Sequence, residues 1–409
     1  MTMDAALREL RGLAHTYWAM AHDERYQDNW RLHRAVNDRN MIRPVVLVDE
    51  LPWHEMDFDG SLAPRCDDPV LRDVEIHLRR MVYRHKHFPA DMVVPPFLPV
   101  YKVIRDSGVG LEVEENTLSV DDRNHIISHE YHDVLADEAV LDTLHPPRVE
   151  YDHEATMRAF QRVGDALGDI LPIRLSGVGG FYCTVWDWIS RLRGVEALLI
   201  DLTDRPEYTH RMCALLFSFE EARLRQYEAL GLLDSWPTSL HCTAAAVSDL
   251  PGSAAPTRKD IWGRGAAQIF ASVSPAMHED FDIAYQMNGI GTCGLSYYGC
   301  CEPLDGKLPV VEKLPNLRKI GLTPWANARV LAEGVGGRFV VSAKPNPASV
   351  AVPNLDRDVL RKEIGVILGA CRDFGCSCDL TLKDISTCAG NPENIFNWEK
   401  TVMEMVRNA

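Results

Sequence analysis

From residue 153 onward the chain alternates short apolar runs with longer amphipathic ones, almost without a break. Strands are expected at 173–175, 239–247, 290–298, 317–322, 338–342 and 377–382, and helices at 153–167, 186–192, 206–230, 275–288, 309–314, 325–333, 357–374 and 392–406. Regular alternation of this kind marks βα units laid around a parallel sheet. It excludes an all-helical bundle or an antiparallel sandwich for most of the chain.

The N-terminal part adds one strand to that set. Residues 5–40 read as helical, and Arg43-Pro44 ends the run. Val45-Val46-Leu47-Val48 follows as a short buried strand that runs into the loop Asp49-Glu50-Leu51-Pro52-Trp53. A helix over 68–83 starts with Pro69 in its first turn, where proline is favourable. Residues 85–150 read as an irregular elaboration, with short strands near 103–104 and 111–113. Seven strands are legible and an eighth is easily hidden in the middle. The expected α/β fold is therefore a (β/α)8 TIM barrel over 41–409, with an N-terminal helical extension over 1–40 and an insertion over 85–150. A length of 409 residues suits a single barrel with insertions. The alternative is an open doubly wound sheet, disfavoured because no glycine-rich dinucleotide fingerprint follows the first strand.

Charge and cysteine usage narrow the function classes. A formal net charge of −16 repels phosphate backbones, so a nucleic-acid partner is not expected. No apolar stretch is long enough to cross a bilayer, and residues 1–11 carry four charges instead of a signal-peptide core. A cytoplasmic protein without membrane association is the expectation. The eleven cysteines are an odd number and are clustered, which in a reducing compartment points to metal binding or catalysis, not disulfides.

Barrel active sites lie at the C-terminal ends of strands. Three strand ends carry reactive groups. The strand ending Ser296-Tyr297-Tyr298-Gly299 leads into Cys300-Cys301-Glu302, two thiols and a carboxylate together. Leu240-His241-Cys242-Thr243 and Cys376-Ser377-Cys378-Asp379 are the other two. Cysteine, histidine and glutamate ligands from separate strand ends, with one position left open, describe a catalytic zinc site. Strand alternation puts Cys300 and Glu302 on one side and Cys301 on the other, whereas a turn at the strand end lets Cys301 and Glu302 both face inward. Both arrangements stay open. His129-Glu130-Tyr131-His132 misses the metalloprotease spacing by one residue and is set aside.

With these residues in view, the C-terminal two-thirds resembles the uroporphyrinogen decarboxylase superfamily. The likeness rests on Gly180-Phe181, Arg193-Gly194 and the run from Leu198 to Glu207, then on Gln268 to Ser272 with Ser274-Pro275. It continues in Gly375-Cys376-Ser377-Cys378-Asp379 with Asn391 to Ile395, and Arg43-Pro44-Val45-Val46 is similar to the first strand. The loop after that first strand lacks the arginines of the decarboxylases. The resemblance therefore points to the other branch, the zinc-dependent methyltransferases that work with corrinoid proteins. Their His-x-Cys motif is replaced here by Cys300-Cys301-Glu302, and their later cysteine corresponds to Cys378. Zn2+ held by Cys300, Cys301, Glu302 and Cys378 is what this resemblance implies, with His241 and Tyr298 as catalytic groups and Trp53, Trp186 and Tyr297 around the substrate. The implied reaction moves a methyl group from a small-molecule methyl donor, an aryl methyl ether for instance, to a corrinoid (cobalamin) carried by a corrinoid-binding protein. The alternatives are transfer from a methylcorrinoid to a thiol and a uroporphyrinogen-decarboxylase-like decarboxylation; pairing into a homodimer is left open.

Overall fold

The computed structural model describes residues 3–119, 124, 126–236, 240–245 and 247–408. Seven parallel strands form the main sheet. In chain order they are β1 (Val45–Val48), then, after strands that lie elsewhere, β4 (Gly180–Cys183), β5 (Trp262–Gly265), β6 (Leu295–Tyr298), β7 (Leu317–Leu322), β8 (Val340–Ala343) and β9 (Cys378–Leu382). The spatial order is β1-β9-β8-β7-β6-β5-β4, every pair parallel. Two of the strands outside it, β2 (Leu98–Tyr101) and β3 (Ile173–Ser176), pair with each other in parallel.

The main sheet curls. The segment 240–245 touches both of its flanks: Gly180 and the Tyr182 hydroxyl of β4 lie against Leu240 and His241, while Thr243 reaches Ser342 of β8 and Asp379 of β9. A flat sheet with four strands between β4 and β9 at ~4.8 Å spacing could not offer both contacts to six residues. The architecture is thus a seven-stranded parallel half-barrel within an α/β fold; β1 and β4 are its edges among the described residues. Apart from Leu47 and Tyr182, the residues of these strands are buried, as expected where both faces of a parallel sheet are covered.

A second layer sits beside β1. Helices α1 (Met3–Ala21), α3 (Pro69–His87) and α4 (His153–Leu167) enclose a separate apolar cluster with β2 and β3. Helix α2 (Glu24–Asn37) follows α1 after Asp23, whose carboxylate caps it by accepting from the Arg25 N–H at 2.9 Å. That cap splits the single helical region expected over 5–40. Helix α3 is capped the same way by Asp68, with Pro69 in the first turn. Leu71, Val74, Glu75 and Leu78 of α3 face the apolar cluster, and the Arg79 guanidinium neutralises the buried Glu75 at 2.6 Å. The opposite face, with Ile76, His77, Arg80 and Arg84, looks toward the half-barrel.

Several expectations needed revision. Residues 240–245 form a turn inside the curl instead of the expected strand over 239–247; Ser239 and Ala246 of that span lie outside the described residues. The hidden strand is β5, and β4 is a further strand absent from the expected set. Trp262-Gly263-Arg264-Gly265 looks like a turn in sequence, but its glycines serve packing. A Cβ on Gly263 would meet the Ile290 Cβ at 2.7 Å, and close backbone approach is a use of glycine inside a strand. In the elaboration, the strands lie at Ile104–Asp106 and Glu115–Leu118, paired antiparallel with Val149–Tyr151 and Ser128–Tyr131.

Candidate metal centre

Two segments bring sulfur to the C-terminal mouth of the half-barrel. The first is the turn at 240–245. Its Cys242 adopts a left-handed conformation, φ 61°, which costs a non-glycine residue on the order of 1 kcal/mol or more. The surroundings hold it there: the Lys319 ammonium of β7 bonds the Ala244 carbonyl, and the Thr243 hydroxyl lies 2.7 Å from Ser342 Oγ. The second segment follows β6. Gly299, at φ 113° and packed against the Gly321 backbone, turns the chain so that Cys300 faces Cys242.

The result is a cluster. Ligand atoms of His241, Cys242 and Cys300 all lie within 4.8 Å of one another, with both cysteines buried and the histidine half-buried. Cys301 Sγ is 3.8 Å from Cys300 Sγ. His241 Nδ1 is 3.0 Å from Glu50 Oε1, which leaves Nε2 as the ring nitrogen for a ligand. A carboxylate on the far nitrogen is the usual support of a metal-binding histidine. The Lys383 ammonium, just past β9, lies 3.2 Å from Cys300 Sγ and 3.5 Å from Cys301 Sγ and pairs with Asp384.

The electrostatics concentrate negative charge on Cys300. Hydrogen bonds from the Cys242 and Cys301 thiols, with help from His241 and Arg264, hold its pKa far below that of an ordinary thiol. Burial and the neighbouring Cys300 push Cys242 up, and the bond to Cys300 together with burial does the same for Cys301. Burial opposes the Lys383 charge, yet the nearby Cys242 and Cys300 sulfurs and Asp384 outweigh it and hold the ammonium charged. The set fits a soft divalent ion. A tetrahedral zinc with ~2.3 Å Zn–S bonds wants sulfurs about 3.7 Å apart, and the ligand atoms of this cluster lie within 4.8 Å of one another. Two thiolates and an imidazole make three protein ligands with one position open, the composition of a catalytic zinc site.

The structure separates other residues that the sequence placed together. Cys378 opens β9 at the opposite end of the half-barrel, fully buried against Cys371, with its N–H on Met41 Sδ at 3.2 Å. Lys383 reaches Cys300 from five residues farther along the same run, so ~16 Å of strand at ~3.3 Å per residue parts Cys378 from the cluster. Glu302 is not among the clustered groups. Its carboxylate folds back to accept the Cys300 and Ala267 N–H groups at 3.0 and 3.1 Å, and burial raises it to about 7.

Tyr297 and Tyr298 point to opposite faces, as neighbours on a strand must. Tyr297 is fully buried on the lumen side, 5.2 Å from the Lys344 ammonium, and its hydroxyl has no hydrogen-bond partner among the described residues. Tyr298 faces the helices. It donates to Asp282 and meets His278 Nε2 at 2.6 Å, away from the sulfur cluster. Trp186 is a core residue; its indole N–H donates to the Phe281 carbonyl at 3.1 Å. Trp53 does line a cavity, of about 440 Å³, that extends from α3 to Glu50 and Thr243 beside the cluster. Sequence reasoning missed Lys383. Its signal was a charged pair, Lys383-Asp384, directly after an apolar strand, at a strand end where barrel function concentrates.

The Tyr298 network carries a pH prediction. Burial, against the Tyr298 and Gln286 hydrogen bonds, raises the Asp282 carboxyl to about 7. The unfolded chain gives up that proton near 4. Between these values the folded state binds more protons, so stability falls as pH rises through about 4 to 7. Asp282→Asn is expected to flatten that slope, as measured by urea unfolding at pH 5 and pH 7.5; an unchanged slope would disprove the assignment.

No protein-family model matches the chain, and no curated protein matches it.

Proposed function

We propose that the chain is a zinc-dependent methyltransferase that moves a methyl group from a small methylated molecule, such as an aryl methyl ether, to a corrinoid on a partner protein. The observation that carries this is the His241–Cys242–Cys300 cluster, within 4.8 Å, at the mouth of a half-barrel and beside a cavity. The resemblance to the corrinoid branch of the uroporphyrinogen decarboxylase superfamily agrees with it. The fold that goes with this reading is a (β/α)8 barrel, of which the seven parallel strands are the observed part.

His241, Cys242 and Cys300 are the residues that would hold zinc, which would supply Lewis acidity toward the oxygen of a methyl ether. The chain's own groups do the remainder. Glu50 fixes the His241 ring through Nδ1. Lys383 donates toward Cys300 and Cys301, drawing charge from the sulfurs. That leaves them weaker donors, so an ion they hold is a stronger acid toward an ether oxygen. Leu47, Leu51 and Trp53 give the adjoining cavity an apolar wall that keeps water from the reacting group.

A second reading rests on the same Lys383 contact. An ammonium 3.2 Å from Cys300 Sγ is itself a counter-cation, and it suits a metal-free thiolate nucleophile. One experiment separates the two. Protein purified without chelators is expected to hold about one zinc per chain and to convert a methoxyphenol to the corresponding dihydroxybenzene in the presence of a reduced corrinoid protein. Metal-free protein whose Cys300 is alkylated at neutral pH, with no transfer to corrinoid, would establish the second reading instead.

A further inference from the structure

The cavity beside the cluster has a charged end that the mechanism above does not use. One face of α3 presents His77, Arg80 and Arg84 to it. Arg84 donates to the Val48 carbonyl, but its Nε is buried with no hydrogen-bond partner. Arg80 has no ion pair or hydrogen bond among the described residues; its guanidinium lies 4.8 Å from the centre of the Trp53 ring. Asp49, Glu50 and Asp73 share the lining, yet none comes within ion-pair distance of either guanidinium, and Glu50 is committed to His241. Burial lowers the Arg84 pKa, and Asp49 acts against this only from a distance. His77 is pushed down to about 4, first by burial and then by Arg80 and Arg84. A buried guanidinium donor without an acceptor is costly unless something supplies the acceptor.

The remaining wall is apolar: Leu47, Leu51, Ile76, Met81 and Met92 face the same space. A ligand that satisfies both ends has a flat or branched hydrocarbon body and one anionic head. Arg84 bonds Val48, and Glu50, two residues on, bonds His241. The two ends of the cavity are therefore joined by a short stretch of backbone, ~7 Å when extended, a span one substituted ring can bridge.

We infer that this cavity binds an aromatic carboxylate, its carboxylate held by Arg80 and Arg84 and its far edge directed at the His241–Cys242–Cys300 cluster. Resting on the methyl-transfer reading, the inference makes the methyl donor a methoxylated aromatic acid. A planar carboxylate matches a guanidinium pair by forked hydrogen bonds, and the apolar wall favours a ring over a free inorganic anion.

The test is direct binding, by calorimetry and by thermal shift, with no corrinoid present. The probes are 3-methoxybenzoate, its neutral counterpart 3-methoxybenzamide, and inorganic phosphate. The wild-type chain is expected to bind 3-methoxybenzoate and to bind the amide and phosphate at least tenfold more weakly. Arg80→Met and Arg84→Lys are each expected to weaken 3-methoxybenzoate about 10- to 100-fold, the range for losing a charged hydrogen-bond partner. Arg80→Met removes no hydrogen bond within the protein, so it reports on binding even if Arg84→Lys folds poorly. Equal binding of acid and amide, preference for phosphate, or unchanged affinity in Arg80→Met would overturn the inference. Arginine-dependent binding without methyl transfer leaves the anion site standing and removes the methyl-transfer reading. Transfer that proceeds equally from the amide retains the reaction and removes the site.

Discussion

Cys300→Ala is expected to lose stoichiometric zinc and, with it, all methyl transfer. The cluster offers three protein ligands, of which Cys300 carries the negative charge of the group. A four-ligand zinc site is worth about 10–16 kcal/mol, so one thiolate accounts for roughly 3 kcal/mol, or about a hundredfold or more in affinity. Glu50→Gln acts only through the His241 ring and should cost less, about 10- to 100-fold. Zinc competition against a chromogenic chelator ranks the variants. Cys378→Ala is the internal control: at the far end of β9 it should leave zinc affinity unchanged. Retention of tight zinc by Cys300→Ala, or its loss in Cys378→Ala, would move the metal to another set of residues.

The largest stability effect is expected from Lys319→Met. Lys319 Nζ and Asp379 Oδ2 are 2.8 Å apart, and neither side chain is exposed. Asp379 also accepts from the Ser342 hydroxyl at 2.7 Å. Removing the ammonium strands a carboxylate in the half-barrel interior, which costs about 3–5 kcal/mol. The effect has a direction in pH. Burial alone would raise Asp379, but Lys319 and Lys344 reverse this and hold it below the ordinary carboxylate value. The stability this contributes is present above pH ~4, the unfolded value, and lost as pH falls through the lower folded one. The difference between wild type and variant should therefore be full above pH ~4 and shrink as pH falls below it, as read from urea midpoints. Lys319 also anchors Ala244, so the same variant should loosen the His241–Cys242 turn and weaken zinc more than its distance from the metal suggests. A midpoint within error of wild type at pH 7 would mean that the pair contributes nothing to folding.

Much of the fold was legible because it rests on local pattern. The elements at 45–48, 153–167 and 317–322 appear with the bounds their residues suggested, since each is a continuous apolar or amphipathic run closed by a cap or a proline. The strand β5 was not, because Gly263 and Gly265 suit a turn by propensity and a strand only where Ile290 packs against them. The site divided the same way. His241, Cys242, Cys300 and Cys301 were identifiable as reactive residues near strand ends, and three of these four form the cluster. Cys378 has the same chemistry and a similar neighbourhood in sequence, but which end of a strand a residue occupies depends on where pairing begins, and pairing is a property of the neighbours.

The chain by itself determined the parallel α/β class, because strand–helix alternation and apolar period are carried residue by residue. It also determined that thiols would gather near the ends of strands. Only the tertiary structure decided which of them meet, because Cys242 and Cys300 stand far apart in sequence and converge through sheet curl and two positive-φ turns. It alone decided that Arg80 and Arg84 face a cavity with no carboxylate in direct ion-pair contact among the described residues, since whether a cation is paired depends on what the fold places across from it.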